Sequence, residues 1–393
     1  MFKITVLNKI APIGWDNLDR EKYEISNDLE NPDAILVRSA NLLDMEFPDS
    51  LKAIARAGAG VNNIPVDRCS QRGIVVFNTP GANANAVKEL AIAALLLTSR
   101  DIIGGVNWVH SLPLDSDIIK EVENGKRRFV GPELYGKRLG VFGLGAIGAL
   151  VANIATELGM KVYGNDPYLT VEGAWRLNHS VRRAASMDTI FEKCDYIALH
   201  VPSTPETKGF INAQTLATMK DGVRIINLSR GDLVNDRDMA AALESGKVAC
   251  YLTDFPSAEI LGMKNVIAIP HLGASTPESE DNCSIMAVNE VIDYLENGNI
   301  RNSVNFPDVI NRKHGDESIC IIHHNVPNML AQISSALSAE GLNIENLSSR
   351  SKKDVAYSVF EVAGSCPQSV VERLSRAQGI IRINVIQNNK NNK

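Results

Sequence analysis

Three short segments in the middle of the chain hold side chains suited to redox chemistry on a small acid. Val141-Phe142-Gly143-Leu144-Gly145-Ala146-Ile147-Gly148 carries glycines at G-x-G-x-x-G spacing. Asn227-Leu228-Ser229-Arg230-Gly231 closes one apolar run, and Ile269-Pro270-His271 closes another. At that spacing Gly143 permits a tight turn after a strand, Gly145 lets backbone approach a pyrophosphate, and Gly148 lets the next helix pack on the sheet. Asp166 lies eighteen residues past Gly148, at the end of the next apolar run. A carboxylate there accepts from adenosine ribose hydroxyls and repels a 2′-phosphate, so NAD is favoured over NADP. Arg230 offers a planar fork to a carboxylate and its neighbouring carbonyl. His271 can take a hydroxyl proton as imidazole and return it as imidazolium. Glu259, twelve residues earlier, is the natural partner for its far ring nitrogen. Singly, each has a plainer reading: a flexible turn, a surface ion pair, a structural histidine, a solvated glutamate. Their order along one alternating pattern is what carries the chemistry. His110, His179, His200 and His314 have no such company and are read as structural.

Composition narrows the field. With 393 residues the chain makes two to three domains, 45% hydrophobic content allows a full core, and a net charge of −6 leaves no footprint for nucleic acid or an anionic membrane. Cys69, Cys194, Cys250, Cys283, Cys320 and Cys366 show no C-x-x-C spacing, which argues for reduced thiols in a cytoplasm and against zinc. Met1 to Leu7 reads as a first strand, and the apolar run Leu90 to Thr98 is half a membrane span.

The elements that must position these residues come in three blocks. Residues 1–95 alternate strands and helices, with strands at Ala34–Val37, Leu51–Ala55 and Ile74–Phe77 and turns at Gly58–Val61 and Asn78–Gly81. Ala84 to His110 reads as one long helix interrupted only by Gly104-Gly105. A second alternating unit has strands at Leu139–Phe142, Lys161–Tyr163, Tyr196–Leu199, Arg224–Leu228, Tyr251–Thr253 and Val266–Ile269. Such alternation predicts a doubly wound parallel sheet. The helix Pro277 to Glu296 has no strand to feed and returns to the first block. The polar stretch 302–316 reads as a linker. Beyond it Ser318–His323, a helix Pro327–Ala339 with Met329, Leu330, Ile333 and Leu337 on one stripe and Gly341 as its cap, a strand at Asn343-Ile344, a hairpin into Ala356–Phe360, a helix at Ser369–Ala377 and Ile380–Ile386 spell β-α-β-β-α-β, the ferredoxin-like order. Asn388 to Lys393 reads as a frayed end.

Lys137-Arg138-Leu139-Gly140 with the glycine loop, Asp166-Pro167-Tyr168, His200-Val201-Pro202-Ser203-Thr204-Pro205-Glu206-Thr207, Asn227 to Gly231 and Pro270-His271-Leu272-Gly273-Ala274-Ser275-Thr276 resemble the D-isomer-specific 2-hydroxyacid dehydrogenase family, over residues 1–308. The resemblance implies an α/β protein with two Rossmann-like domains: a discontinuous substrate domain over 1–95 and 278–305, and an NAD domain over 96–277. A linker at 306–316 then leads to a C-terminal module, 317–388, that is similar to the amino-acid-sensing ACT domain. It also implies a catalytic trio of Arg230, Glu259 and His271. NAD contacts fall on Gly143, Gly145, Ala146, Ile147, Gly148, Asp166, Pro202, Thr207, Leu228, Ser229, Asp254, Gly273 and Ala274. Arg38, Ser39, Gly58 and Asn83 match substrate-side positions of members acting on a phosphorylated acid. Arg38 and Arg56 are the strand-end cations that a phosphate needs, and Lys126-Arg127-Arg128 is either a further cationic contact or a solvated loop. His323, Asn325 and Asn343 match positions that hold an amino-acid effector, serine being the candidate; Asn328 stands where a glycine is usual. The pattern Asp-Val-Phe-x-x-Glu-Pro is replaced here by Asp254-Phe255-Pro256-Ser257-Ala258-Glu259-Ile260. Together these imply oxidation of a phosphorylated 2-hydroxy acid in a cleft between the two α/β domains of a homodimer or homotetramer. The alternatives are a reductase of glyoxylate or hydroxypyruvate type and a non-catalytic NADH-sensing interaction protein.

Overall fold

A computed structural model describes residues 1–388. The chain divides into two compact units, Met1–Ala82 with Pro277–Lys393, and Asn83–Thr276. The first stretch holds β1 (Phe2–Leu7), β2 (Tyr23–Ser26), β3 (Ala34–Val37), β4 (Ala53–Arg56), α1 (Val66–Gln71) and β5 (Val75–Asn78). The second unit runs α2 (Ala84–Ser99), α3 (Ile102–His110), α4 (Ile118–Gly125), β6 (Arg138–Phe142), α5 (Ala146–Glu157), β7 (Lys161–Asn165), α6 (Val171–Trp175), β8 (Arg182–Arg183), α7 (Met187–Lys193), β9 (Tyr196–Leu199), α8 (Ala213–Thr218), β10 (Val223–Asn227), α9 (Asp236–Glu244), β11 (Val248–Thr253) and β12 (Val266–Ala268). The first unit then resumes with α10 (Pro277–Asn297), β13 (Glu317–His324), α11 (Met329–Ser338), β14 (Asn343–Lys352), β15 (Val355–Ala363), α12 (Gln368–Ser375) and β16 (Ile380–Gln387).

The first unit opens with a parallel sheet in the order β2-β1-β3-β4-β5. Its apolar runs are continuous because both faces are covered. Ala34 and Leu36 point to one face, where α10 lays down Cys283, Ala287, Val288, Val291 and Tyr294. Ile35 and Val37 point to the other, against Leu42, Leu51, Ile64 and Cys69. The antiparallel sheet β14-β15-β13-β16 follows the ferredoxin-like order. Its alternation buries two faces as well: Ile319 and Ile321 sit under α11 and α12, while Cys320, Ile322, Tyr357 and Val359 join the core of the parallel sheet. Tyr357 donates to the Gly298 carbonyl at 2.6 Å and Arg382 to the Leu51 carbonyl at 2.6 Å. The C-terminal sheet is thus built into this unit on one of its faces.

The second unit is a seven-stranded parallel sheet, β12-β11-β10-β9-β6-β7-β8. Strand order reverses between β6 and β9, the switch point where such sheets bind ligands beyond their carboxyl edge.

Four expectations need correction. The long helix from Ala84 to His110 breaks at Arg100, not at the glycine pair. Thr98 and Ser99 hydroxyls donate back to the Ala94 and Leu95 carbonyls at 2.8 and 2.7 Å, Arg100 turns extended, and Asp101 caps α3 by accepting from Gly104 N at 2.9 Å. A Cβ on Gly104 would overlap that carboxylate, so the glycine serves a cap. The division also falls at Asn83, not after residue 95: Ala91, Ala94 and Leu95 of α2 pack with Leu139, Val141 and Val151. The stretch 306–316 is not a linker in its first half, since Phe306 and Val309 are core residues of the first unit. Just before it, Asn305 accepts from Val76 N and donates to the Ile74 carbonyl, both at 2.9 Å. Its polarity serves backbone groups of β5 instead of solvent. Finally, Asn388 is buried and donates to the Gly315 carbonyl and the Ser318 hydroxyl at 3.1 and 2.9 Å. The rest of the expected frayed end, residues 389–393, lies outside the described residues.

One buried carboxyl group on α10 makes the fold sensitive to pH. Glu290 is 8% exposed, and only one of its oxygens is engaged, by the Asn302 amide at 2.7 Å. Burial, aided by the nearby charge of Asp308, pushes it up to about 8 from an ordinary 4.5 against the Asn302 bond. A group raised in the folded state stabilises fully below its unfolded value and loses that contribution as pH rises through the folded one. We expect Glu290→Gln to remove on the order of 2 kcal/mol of the decline in stability between pH 5 and pH 8.5. Parallel pH profiles of wild type and variant in urea titrations would refute this assignment.

Candidate functional site

The glycine loop joins β6 to α5. Gly143 has φ +84°, and a Cβ there would overlap the His200 carbonyl. A Cβ on Gly148 would overlap the Gly143 carbonyl, whereas one on Gly145 would meet nothing within 4 Å. Gly145 caps α5 without any side-chain bond, leaving the first-turn N–H groups, including those of Ala146, Ile147 and Gly148, to face a ligand. Asp166, at the end of β7, accepts from Leu144 N at 2.8 Å and Tyr168 N at 2.9 Å. Each of its oxygens keeps a lone pair for a ribose hydroxyl. The loop after β9 is tied by Thr207, whose hydroxyl donates to the Pro202 carbonyl at 2.6 Å and accepts from Thr204 N at 2.8 Å. Behind the glycines sits His200, with both ring nitrogens buried and without hydrogen-bond partners; burial pushes it down to about 4 and keeps it neutral. The open space at Gly145, the uncapped helix and the strand-end carboxylate fit NAD.

At the same carboxyl edge, β10 and β11 carry the reactive candidates. Asn227 is fully buried; its amide donates to the Arg230 carbonyl at 2.9 Å and its oxygen accepts from Ser229 N at 3.2 Å. Ser229 in turn donates to the Leu199 carbonyl at 2.7 Å. The turn from the buried Leu228 to Arg230 is therefore held from below, and the Arg230 side chain is exposed beyond it. His271 follows β12, and its ring packs on Phe255 with centroids 4.6 Å apart. A Cβ on Gly231 would lie 3.2 Å from the Phe255 Cβ. His271 and the turn after Arg230 thus flank the same Phe255 side chain, the Arg230 guanidinium donates to the Ser229 carbonyl at 2.6 Å, and the charges of Arg230 and His271 both act on Asp254. Asp254 is 3% exposed, and neither of its oxygens has a hydrogen-bond partner. Burial raises its carboxyl above the ordinary range, while the nearby His271 and Arg230 charges pull it back.

Glu259 departs from expectation. It lies exposed in a turn anchored by the buried Ile260, and among the described residues neither a hydrogen bond nor an ion pair joins it to His271. The carboxylate on which the His271 charge acts is Asp254. Sequence reasoning missed Phe255 and Asn227; the signals were an aromatic in the rewritten loop and an asparagine closing the run Val223–Asn227. Gly273 is buried, and a Cβ on it would lie 3.3 Å from the Val87 side chain, one helical turn beyond Asn83; Ala274 follows half-buried.

In the first unit Arg38 pairs with Glu280 at 2.8 Å, and its carbonyl accepts from Arg56 Nε at 3.1 Å. The Arg56 guanidinium fills the space that a Cβ on Gly58 would need, and Ser39 is exposed beside them. Of the basic run, Arg128 stacks on Trp108 at 4.5 Å and Lys126 pairs with Glu123. Those two side chains serve local packing. In the C-terminal module His323 is buried, bonded to the His324 carbonyl at 2.8 Å and the Ser358 hydroxyl at 2.9 Å. It lines a cavity of about 480 Å³ with Asn325, Ser349 and Arg350. Asn328 adopts φ +72° at the start of α11, the conformation that makes asparagine the natural replacement for glycine there. Asn343 is not part of that cavity. It pairs with Ala363 whereas His323 pairs with Ala356, seven positions along β15 and so roughly 23 Å away.

Residues 92–273 match the family described as D-isomer specific 2-hydroxyacid dehydrogenase, NAD binding domain. This stretch is similar to the NAD-binding domain of that family and lies within the second unit, beginning inside the helix α2 that opens it. The chain's similar relatives include D-3-phosphoglycerate dehydrogenases: that of Synechocystis sp. is 35% identical over 78% of this chain and 56% of its own length, and that of Bacillus subtilis 33% over 78% and 59%. The chain spans a little over half the length of these two. The Haemophilus influenzae D-3-phosphoglycerate dehydrogenase is 29% identical over 97% of this chain and 94% of its own. Among solved structures, the NAD+-bound 3-phosphoglycerate dehydrogenase of Entamoeba histolytica is 26% identical, with a TM-score of 0.58 over 77% of this chain and 98% of that one. Apo D-mandelate dehydrogenase from Rhodotorula graminis, 23% identical with a TM-score of 0.67 over 79% and 99%, shares the fold. Among the described residues no helix is long and apolar enough to cross a membrane, and no cluster of His, Cys, Asp and Glu could hold a metal ion.

Proposed function

We propose that the chain oxidises D-3-phosphoglycerate to 3-phosphohydroxypyruvate with NAD, the first step of L-serine biosynthesis. The observation that carries this reading is that the charges of Arg230 and His271 both act on the unpartnered Asp254 carboxylate, on the sheet edge that also bears the glycine loop. Bound NAD supplies the two-electron acceptor. Asp254 offers its orphaned oxygens to the nicotinamide carboxamide, and Asp166 offers its own to the ribose. The guanidinium of Arg230 forks onto the substrate carboxylate and the oxygen at C2. His271, as neutral imidazole, takes the hydroxyl proton. Glu259 stays a candidate for orienting that ring, through a rearrangement of its turn. Arg38 and Arg56, with Ser39, Gly58 and Asn83, are assigned to the phosphate and carboxylate of the substrate. Steady-state NAD reduction with D-3-phosphoglycerate and with D-glycerate tests this: a kcat/KM at least about 100-fold higher for the phosphorylated acid is expected from a guanidinium–phosphate contact, and equal values would remove the phosphate from the account.

Asp254→Asn separates the two roles of that carboxylate. The unliganded protein should gain stability, because an unpaired buried charge is lost, while NADH affinity should fall about tenfold as one acceptor disappears. A melting temperature that falls together with unchanged NADH affinity contradicts the assignment. Exposed Ile102, Ile103, Val106 and Val109 along α3 support a homodimer or homotetramer. The His323–Asn325 cavity supports an amino-acid effector, serine first; a thermal-shift panel of amino acids in which serine has no effect would defeat that choice.

A further inference from the structure

A cavity of about 1470 Å³ opens within the first unit, between the parallel sheet, the end of α10 and the edge strand β16. Lys22 and Lys52 line one wall, Arg312 and Lys313 another, and the acids lining it are Glu21 and Glu296. Glu296 is already engaged, by Lys22 at 3.4 Å and by the Tyr23 hydroxyl. Lys52 pairs with Asp33 at 3.0 Å. Arg312 and Lys313 have no ion pair among the described residues. The chain as a whole carries a net charge of −6, so this cationic lining runs against its overall balance.

The basic turn is rigidly held. Glu361, fully buried, accepts from Arg312 N at 3.1 Å, from His314 N, and from the Asn346 amide at 2.8 Å. Between the two clamped amides Lys313 takes φ +56°, a left-handed conformation that lysine seldom adopts, with its own N–H on the Asn311 side chain at 3.1 Å. A Cβ on the following Gly315 would lie 2.5 Å from the Val362 carbonyl, so the turn cannot slide along β15. Two cations without ion pairs on a fixed turn, lining the same cavity as Lys22 and Lys52, form a preorganised anion receptor.

We propose that this cavity binds a small polyanion carrying a run of phosphates, bridging Lys22 and Lys52 to Arg312 and Lys313. One phosphate cannot span two walls of so large a space, and a chain of them can. None of Arg230, His271, Asp254 or the glycine loop lines it, so the site is separate from the dehydrogenase chemistry and does not rest on the proposed reaction. The probe is sodium tripolyphosphate with EDTA, titrated at low ionic strength into the full chain with NADH in excess, so that the glycine loop is not read instead. Thermal unfolding should rise by about 3 °C at saturation. The affinity should weaken as salt is added, because the contacts are between exposed charges. The Arg312→Ala/Lys313→Ala double variant should fold, bind NADH unchanged and lose at least about tenfold in tripolyphosphate affinity. Lys22→Ala, on the opposite wall, should lose affinity as well and guards against a local effect of the double variant. A parallel arm with ATP identifies the source of the phosphates: tighter binding than tripolyphosphate marks a nucleoside polyphosphate, and equal binding marks the phosphate chain alone. Absence of binding, or binding that both variants leave intact, overturns the proposal.

Discussion

Replacing His271 with asparagine is expected to lower kcat for NAD reduction about 10³-fold, with NADH affinity nearly unchanged. Asparagine keeps the polarity and much of the volume, so Phe255 retains a packing partner and the loop after β12 should hold its course. What it lacks is a site that can take a proton near neutral pH. Two other titratable groups nearby are poorly placed to substitute: Asp254 is buried near the imidazole, and His200 lies behind the glycine loop with its ring nitrogens out of solvent. The remaining activity should also lose the limb of its pH profile that reports the imidazole. A variant with unchanged kcat would remove His271 from the chemistry. Activity that fell only through a raised KM would make it a binding residue.

The second large effect separates two glycines three residues apart. Gly145→Val should fold with near wild-type stability, because a side chain there projects into open space, yet NADH affinity should drop at least about 100-fold as that space is where a pyrophosphate must approach. Gly148→Ala should do the reverse in its first consequence. Its Cβ would overlap the Gly143 carbonyl, so the loop and α5 must separate, at a cost of about 3 kcal/mol. In a unit of this size that lowers the melting temperature by roughly 6–12 °C. Equal destabilisation by both substitutions would mean that the loop is not shaped around a ligand.

Much of the site is legible in the amino-acid sequence because its demands are local. Gly143 takes a left-handed φ and Gly148 closes on the Gly143 carbonyl, both within one short loop, while Gly145 leaves the approach open. Arg230 and His271 are legible because each ends an apolar run, and strand ends in a parallel sheet share one edge. Glu259 is different. Its separation along the chain suited a pairing with His271, but it lies exposed in a turn anchored by Ile260, with neither a hydrogen bond nor an ion pair to that ring among the described residues, while the buried carboxylate near His271 is Asp254. Polar residues misled twice. Arg100-Asp101 ends one helix and caps the next although two glycines lie nearby, and Asn305 edge-pairs β5 within a stretch that reads as linker. In each case the side chain satisfies a backbone group that only the fold brings within reach. The same limit hid the basic turn at Arg312–His314, whose clamp, Glu361, stands nearly fifty residues away.

In the proposed reaction Arg230 and His271, at one sheet edge, flank the ring of a bound nicotinamide and act on the C2 hydroxyl of a D-2-hydroxy acid. Single-turnover oxidation of D-3-phosphoglycerate deuterated at C2 tests it most directly. NADH should carry one substrate-derived deuterium at C4, formed rapidly by wild type and strongly slowed by Arg230→Ala and by His271→Asn. Reduced cofactor without the label, or label transfer at the wild-type rate in both variants, would contradict that reaction.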